Sequence, residues 1–135
     1  MAALSDYLEA QLLDHVLRAE TYSPPSTVYV ALFTSDASLA ALETGSTANE
    51  VEAGDFDYER KAVTFDSALT PQGRSESNVD LTWSNMPGVT VQYAAIMDDE
   101  TGGNVLFFGE LESARVITSG DNFTISEGNL TVTLV

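Results

Sequence analysis

The first stretch of the chain has the hydrophobic period of an amphipathic helix. Asp6 followed by Glu9 has the spacing of a capping box, with Ser5 as the competing cap residue, and the Ser-Pro-Pro segment at 23–25 cannot continue a helix. The pattern predicts one N-terminal helix over 4–18. Its apolar residues recur three or four positions apart and are Leu4, Leu8, Leu12, Leu13, Val16 and Leu17.

From residue 27 onwards the hydrophobic period changes to two. Short runs rich in β-branched and aromatic residues are separated by Gly, Pro, Asn and Asp, as in antiparallel strands. The turn at 98–104 is expected to join two strands as a hairpin, and the turn at 119–121 to join two more. One helix and about eight strands predict a mainly β protein, an antiparallel, jelly-roll-like β-sandwich with a single domain over 1–135. The predicted strands are 27–33, 58–65, 77–83, 89–97, 105–111, 115–117, 123–126 and 130–135.

Residues 34–57 show no clear period and are rich in Ser, Thr, Ala, Gly and Glu. A loop of this length in a compact domain is usually functional or mobile. Its apolar residues predict either a short helical turn or an arm that docks on a neighbouring subunit. The helix face can likewise pack on the sandwich or on a neighbouring copy. The candidate interface residues are therefore Leu8, Leu12, Leu13, Val16 and Leu17 from the helix, and Leu39, Leu42 and Val51 from the loop.

Composition adds a strong negative charge to this picture. The chain has 21 Asp and Glu against 5 Lys and Arg, which gives a formal net charge of −16. Such a surface repels the phosphates of nucleic acids and of anionic lipids, so we expect no nucleic acid and no membrane as partners. Acid excess with a single lysine, Lys61, is typical of proteins that work in high salt, where ions screen the self-repulsion. The alternative is an acidic phage or bacterial protein that works at ordinary salt.

Few residues have the spacing that catalysis or cofactor binding requires. The chain has no cysteine, and its one histidine, His15, lies on the predicted helix without a serine or carboxylate motif beside it. Carboxylates occur throughout the chain, so no single pair stands out as catalytic. We therefore predict a protein that is not an enzyme and has no cofactor. An acidic turn that could loosely bind Ca²⁺, Mg²⁺ or Na⁺, or be a plain hairpin turn, contains Asp98, Asp99, Glu100 and Asn104.

Five segments resemble, in the same order, a family of small tailed-phage virion proteins usually called tail fibre proteins. The resemblance implies a structural component of the virus particle, made in the host cytoplasm, with no catalytic residue to transfer. The acidity points to a virus of halophilic hosts, haloarchaea among them. The segments are LSDYLEAQLLDHVL at 4–17, TVYVALFT at 27–34, YERKAVTF at 58–65, TGGNVLFFGEL at 101–111 and ISEGNLTVTL at 125–134.

Two hypotheses differ in where the protein sits on the particle. A compact domain of 135 residues cannot by itself build the long shaft of a fibre, which favours a decoration-type subunit of the head that binds the capsid lattice and its own copies. The alternative is a tail fibre, tail-tip or other tail appendage subunit involved in host attachment. In both cases the partners are other virion structural proteins, capsid or tail, and viral symmetry favours a homo-oligomer, with a trimer preferred.

Overall fold

A computed structural model describes residues 2–69 and 72–134 and confirms the mainly β architecture. The helices in this part of the chain are α1 (Asp6–Arg18) and α2 (Leu39–Glu43), and neither is long and apolar enough to cross a membrane. The strands in the same part are β1 (Ala3–Leu4), β2 (Val28–Thr34), β3 (Lys61–Val63), β4 (Arg74–Glu76), β5 (Leu81–Trp83), β6 (Val89–Met97), β7 (Val105–Ile117), β8 (Phe123–Ile125) and β9 (Thr131–Thr133).

A five-stranded sheet with the order β1-β7-β6-β2-β3 forms one layer of the molecule. All of its strand pairs are antiparallel, and β6 and β7 form the predicted hairpin around the turn at 98–104. Two further antiparallel pairs, β4 with β9 and β5 with β8, lie opposite this sheet. This arrangement confirms the antiparallel β-sandwich that the sequence predicts.

Apolar side chains pack against both faces of the five-stranded sheet. Leu32 of β2 lies in a core with Trp83 of β5, between the two layers. Phe33, the next residue along the strand, points to the opposite face and packs in a second core with Leu42 of α2. Because both faces are covered, β2 is almost continuously apolar instead of alternating.

The first helix begins two residues later than predicted, because the chain before it pairs with β7 as the short strand β1. Ser5, which is buried, is the N-cap: its hydroxyl accepts a hydrogen bond from the N–H of Leu8 at 3.2 Å. That hydroxyl also donates to the carbonyl of Val105, and the N–H of Ser5 donates to the carbonyl of Leu106 at 2.9 Å. The cap is therefore Ser5 and not Asp6, and it anchors the helix to the start of β7.

The predicted hairpin around 119–121 does not form. Ile117 pairs with β6, whereas Phe123 pairs with β5, so that β7 and β8 diverge into different layers. The strands predicted at 105–111 and 115–117 are instead one long strand, β7, in which residues 111–114 bulge opposite Gln92. Pairing between distant segments decides both the absence of this hairpin and the continuity of β7. A local pattern in the sequence cannot reveal such pairing.

Four predicted strands are longer than the observed ones, and one of them, 123–126, exceeds β8 by a single residue. β3 and β5 each contain three residues, within the predicted strands 58–65 and 77–83. The predicted last strand, 130–135, corresponds to β9, and Val135 lies outside the described residues. The sequence also missed β4, whose residues Arg-Ser-Glu are polar and whose side chains are only partly buried.

Candidate interaction surfaces

The segment 34–57 folds back onto its own sheet instead of extending as an arm. It contains α2, which confirms the short helical turn. Leu42 and Val51 are almost fully buried, and the N–H of Val51 donates to the carbonyl of Leu32 at 2.9 Å. Leu42 and Val51 are therefore core residues and not surface residues of this subunit. Of the three candidates in the loop, only Leu39 is open to solvent, at 43% exposure.

A buried arginine joins this segment to the acidic turn. Arg60, whose side chain is 6% exposed, donates from Nε and Nη2 to the two carboxylate oxygens of Glu50 at 2.9 and 2.8 Å. Its Nη1 donates to the carbonyls of Asp99 and Gly102 at 3.0 and 2.7 Å. Hydrogen bonding to Glu50 raises the pKa of Arg60, so this guanidinium remains charged. It is a fixed cation between a carboxylate and two turn carbonyls.

Tyr58 belongs to the same network. Its hydroxyl donates to Glu50 at 2.7 Å and accepts a hydrogen bond from the N–H of Leu32 at 3.0 Å. Burial raises the pKa of Tyr58 far above its ordinary value, and the negative charge of Glu50 raises it further. The hydroxyl therefore keeps its proton, as its hydrogen bond to the carboxylate requires.

The metal-ligand candidates lie together in the turn at 98–104, where the carboxylates of Asp98 and Asp99 accept hydrogen bonds from the other two candidates. The Asp98 carboxylate accepts bonds from the backbone and side-chain nitrogens of Asn104 at 2.6 and 3.0 Å. The Asp99 carboxylate accepts a bond from the N–H of Glu100 at 2.7 Å. Among the residues that the structure describes, no three His, Cys, Asp or Glu are grouped to hold a metal ion. This geometry is that of a hairpin turn whose backbone carbonyls are contacted by the buried guanidinium of Arg60.

Helix α1 carries apolar side chains on two sides. Leu8 faces the sheet and is 4% exposed, and Leu12 beside it is partly buried. Leu13, Val16 and Leu17 are 58%, 73% and 74% exposed. Leu8 is therefore an interior residue, whereas Leu13, Val16 and Leu17 form an apolar surface that we call the outer stripe.

Several contacts fix the end of α1 that carries the outer stripe. The helix ends at Ala19 in the left-handed conformation, and the N–H of Glu20 donates to the carbonyl of Asp14 at 3.2 Å. His15 Nδ1 lies 2.9 Å from the carbonyl oxygen of Glu20, which makes the single histidine a capping residue. Arg18 Nη1 lies 3.4 Å from Asp14 Oδ1, and Arg18 Nη2 lies 3.9 Å from Glu20 Oε1. Each exposed contact stabilises little, but together they hold the helix end in one conformation.

A groove of about 420 Å³ opens between β7 and β8. Its lining includes Leu111 and Phe123. Ala94 and Gly109, which also line it, are cross-strand partners, and the groove is open there because their side chains are small or absent. Beyond Phe108, the outer edge of β7 has no strand partner in the described part of the chain, and β8 pairs only with β5 there. Open edges of this kind can accept a further strand.

Comparison with known proteins adds a family to these surfaces. No curated protein matches the chain. The family model described as podophage GP4 fiber I protein gp80 matches residues 3–133, which include the Arg60 network, the acidic turn and the outer stripe. This match supports the resemblance to phage fibre-type proteins seen in the sequence. The chain therefore belongs to the podophage GP4 fiber I protein gp80 family, a phage fibre family of structural virion proteins.

Proposed function

We propose that this protein is a subunit of a phage tail appendage, a tail fibre or tail-tip component that takes part in host attachment. The family match over residues 3–133 carries this proposal, because the family is named for a fibre. It favours the tail over the head, which reverses the preference drawn from the length of the chain. The compact sandwich is then one globular module of the appendage.

The protein acts by binding and not by catalysis. Its single histidine, His15, bonds to a backbone carbonyl at the end of a helix. Its most buried carboxylate–arginine pair, Glu50 with Arg60, is satisfied by Tyr58 and by backbone carbonyls. Groups that are already saturated by internal partners support a structural role for these residues, and no cofactor is needed for it.

Antibodies against the recombinant chain, applied to purified virus particles in electron microscopy, test the location. We expect gold label at the tail and a low copy number per particle on a quantitative gel, because few copies fit an appendage. Label spread over the head, with copy numbers near those of the capsid protein, would show head decoration instead. Antibodies against the major capsid protein serve as the matched control for accessibility.

We further propose that copies of the chain assemble around a closed axis, as a trimer, in the high salt of a halophilic host in whose cytoplasm the chain is made. Virus particles favour symmetric assemblies, and a charge of −16 on each copy opposes association unless salt screens it. Light scattering after gel filtration should give three times 14.5 kDa in about 2 M NaCl and a lower mass in about 0.1 M. A monomer at both salt concentrations would contradict this assembly.

A further inference from the structure

We propose that the outer stripe of α1 docks an amphipathic helix of another virion protein, one whose polar flanks are basic. The inference rests on the proposed structural role in a virus particle, but it does not depend on whether that place is the tail or the head. It starts from three neighbouring aliphatic side chains, each more than half exposed: Leu13, Val16 and Leu17.

The spacing of the exposed residues is that of a helix–helix contact. Ala10, Leu13 and Leu17 are separated by three and four positions, which is the repeat of a coiled-coil seam. Val16 widens the seam on one side. Isolated exposed apolar residues are normal on protein surfaces, and Val116 on β7 is one of them at 83% exposure. A run of three on one side of one helix instead marks an interaction surface.

The outer stripe is also pre-organised for binding. Its helix is anchored at one end by Ser5, which bonds to the start of β7, and by the buried Leu8. At the other end, Ala19 and His15 cap the last turn. A surface that is already ordered loses less conformational entropy when a partner binds, so a small contact can be effective.

Charge identifies the kind of partner. Asp6 and Glu9 lie one or two turns before Leu13 on the same side of the helix, so carboxylates continue the outer stripe towards its N-terminal end. The nearby cation, Arg18, is already shared between Asp14 and Glu20.

A second copy would bring its own Asp6 and Glu9 against the carboxylates beside the stripe. A helix with lysine or arginine beside its apolar seam would pair with these carboxylates instead. We therefore expect a basic partner and place any contact between copies elsewhere on the subunit.

The test uses two synthetic helical peptides of about three heptads, both with leucine at the seam positions. One has lysine at the flanking positions, and its matched control has glutamate. Fluorescence anisotropy should show that the lysine peptide binds at least about tenfold more tightly than the glutamate peptide. These measurements are made in about 0.1 M NaCl. Raising NaCl to about 2 M should reduce the difference in affinity between the two peptides while the apolar contact persists, because salt screens charges and not apolar contacts.

Variants of the protein locate the binding site. Leu13→Ser combined with Leu17→Ser should weaken the lysine peptide's binding by about tenfold or more, whereas Val116→Ser, at a still more exposed aliphatic site on β7, should not. Circular dichroism confirms that each variant is folded. Equal binding of both peptides, no binding of either, or full binding by the double variant would overturn the proposal.

Self-association provides a separate outcome. If the double variant loses an oligomer that NaCl strengthens in the unmodified chain, a second copy covers the outer stripe and the basic partner is refuted. If the peptide results hold while antibodies label the head, the docking surface stands and the proposed tail location fails. The two proposals therefore fail on different measurements.

Discussion

At the scale of single residues, Arg60 connects parts of the chain that are far apart in sequence. Its guanidinium contacts Glu50 on one side and the carbonyls of Asp99 and Gly102 on the other. Nothing in the sequence distinguishes Arg60 from the exposed Arg115, because burial of an arginine depends on which distant groups meet it. The acidic turn was visible in the sequence, but the cation that contacts its backbone was not.

Replacing Arg60 with methionine should lower the free energy of unfolding by about 3 kcal/mol. The variant leaves the largely buried carboxylate of Glu50 with Tyr58 as its remaining side-chain donor. Urea denaturation followed by tryptophan fluorescence measures the change. The control is Lys61→Met, which removes the more exposed pair with Glu59 and should cost less than about 1 kcal/mol. Equal losses in both variants would contradict the structural role of Arg60.

Tyr58 predicts a loss of stability at alkaline pH. Its pKa is raised in the folded protein, so above about pH 10 the unfolded chain releases a proton that the folded chain keeps. The contribution of Tyr58 is therefore complete below about pH 10 and is lost as the pH rises further.

Above about pH 10, the free energy of unfolding should fall as the pH rises. The fall should be steeper in the unmodified protein than in Tyr58→Phe, by up to about 1.4 kcal/mol per pH unit. Urea denaturation at several alkaline pH values measures the two slopes. Identical slopes would show that Tyr58 ionises normally in the folded state.

At the scale of elements, α1 shows what an apolar period can and cannot reveal. The period correctly predicted a helix, but Leu8 and Leu17 are indistinguishable in sequence, and only one of them is buried. β1 and β7 decide which side of the helix faces the sheet, because they fix the position of Ser5. The helix therefore has one side packed in the fold and another exposed to solvent.

This difference predicts opposite effects of two substitutions in α1. Leu8→Ala should lower the free energy of unfolding by about 2–3 kcal/mol, since it leaves a cavity in the interior. Leu17→Ser should change it by no more than about 0.5 kcal/mol, since the side chain is already in solvent. Thermal or urea denaturation distinguishes them, and a large loss from Leu17→Ser would place the outer stripe inside the folded subunit.

At the scale of the whole molecule, charge opposes the cohesion of the sandwich. Of the five basic residues, Arg18, Arg60, Lys61 and Arg74 form ion pairs with carboxylates in the described part of the chain, which leaves most of the 21 acidic residues without a countercharge. The two apolar cores must therefore outweigh a general repulsion. Dissolved ions reduce that repulsion without changing any contact.

The melting temperature should therefore rise when NaCl is increased from about 0.1 to about 2 M. The triple variant Asp36→Asn, Asp55→Asn and Glu112→Gln, all at exposed positions, should melt higher than the unmodified protein at low salt and depend less on NaCl. Scanning calorimetry measures both quantities. Melting temperatures that do not change with salt would contradict the proposal that the protein is adapted to brine.

The sequence by itself determined the class of elements, the hairpin between β6 and β7, the net charge and the resemblance to phage fibre-type proteins. These properties are carried by neighbouring residues or by composition, so they can be read locally. The tertiary structure alone decided that β7 and β8 separate into two layers, that Val51 is core while Leu17 is surface, and that Arg60 meets the acidic turn. Each of these depends on contacts between distant segments, whose free energy is set by the packing of the whole chain.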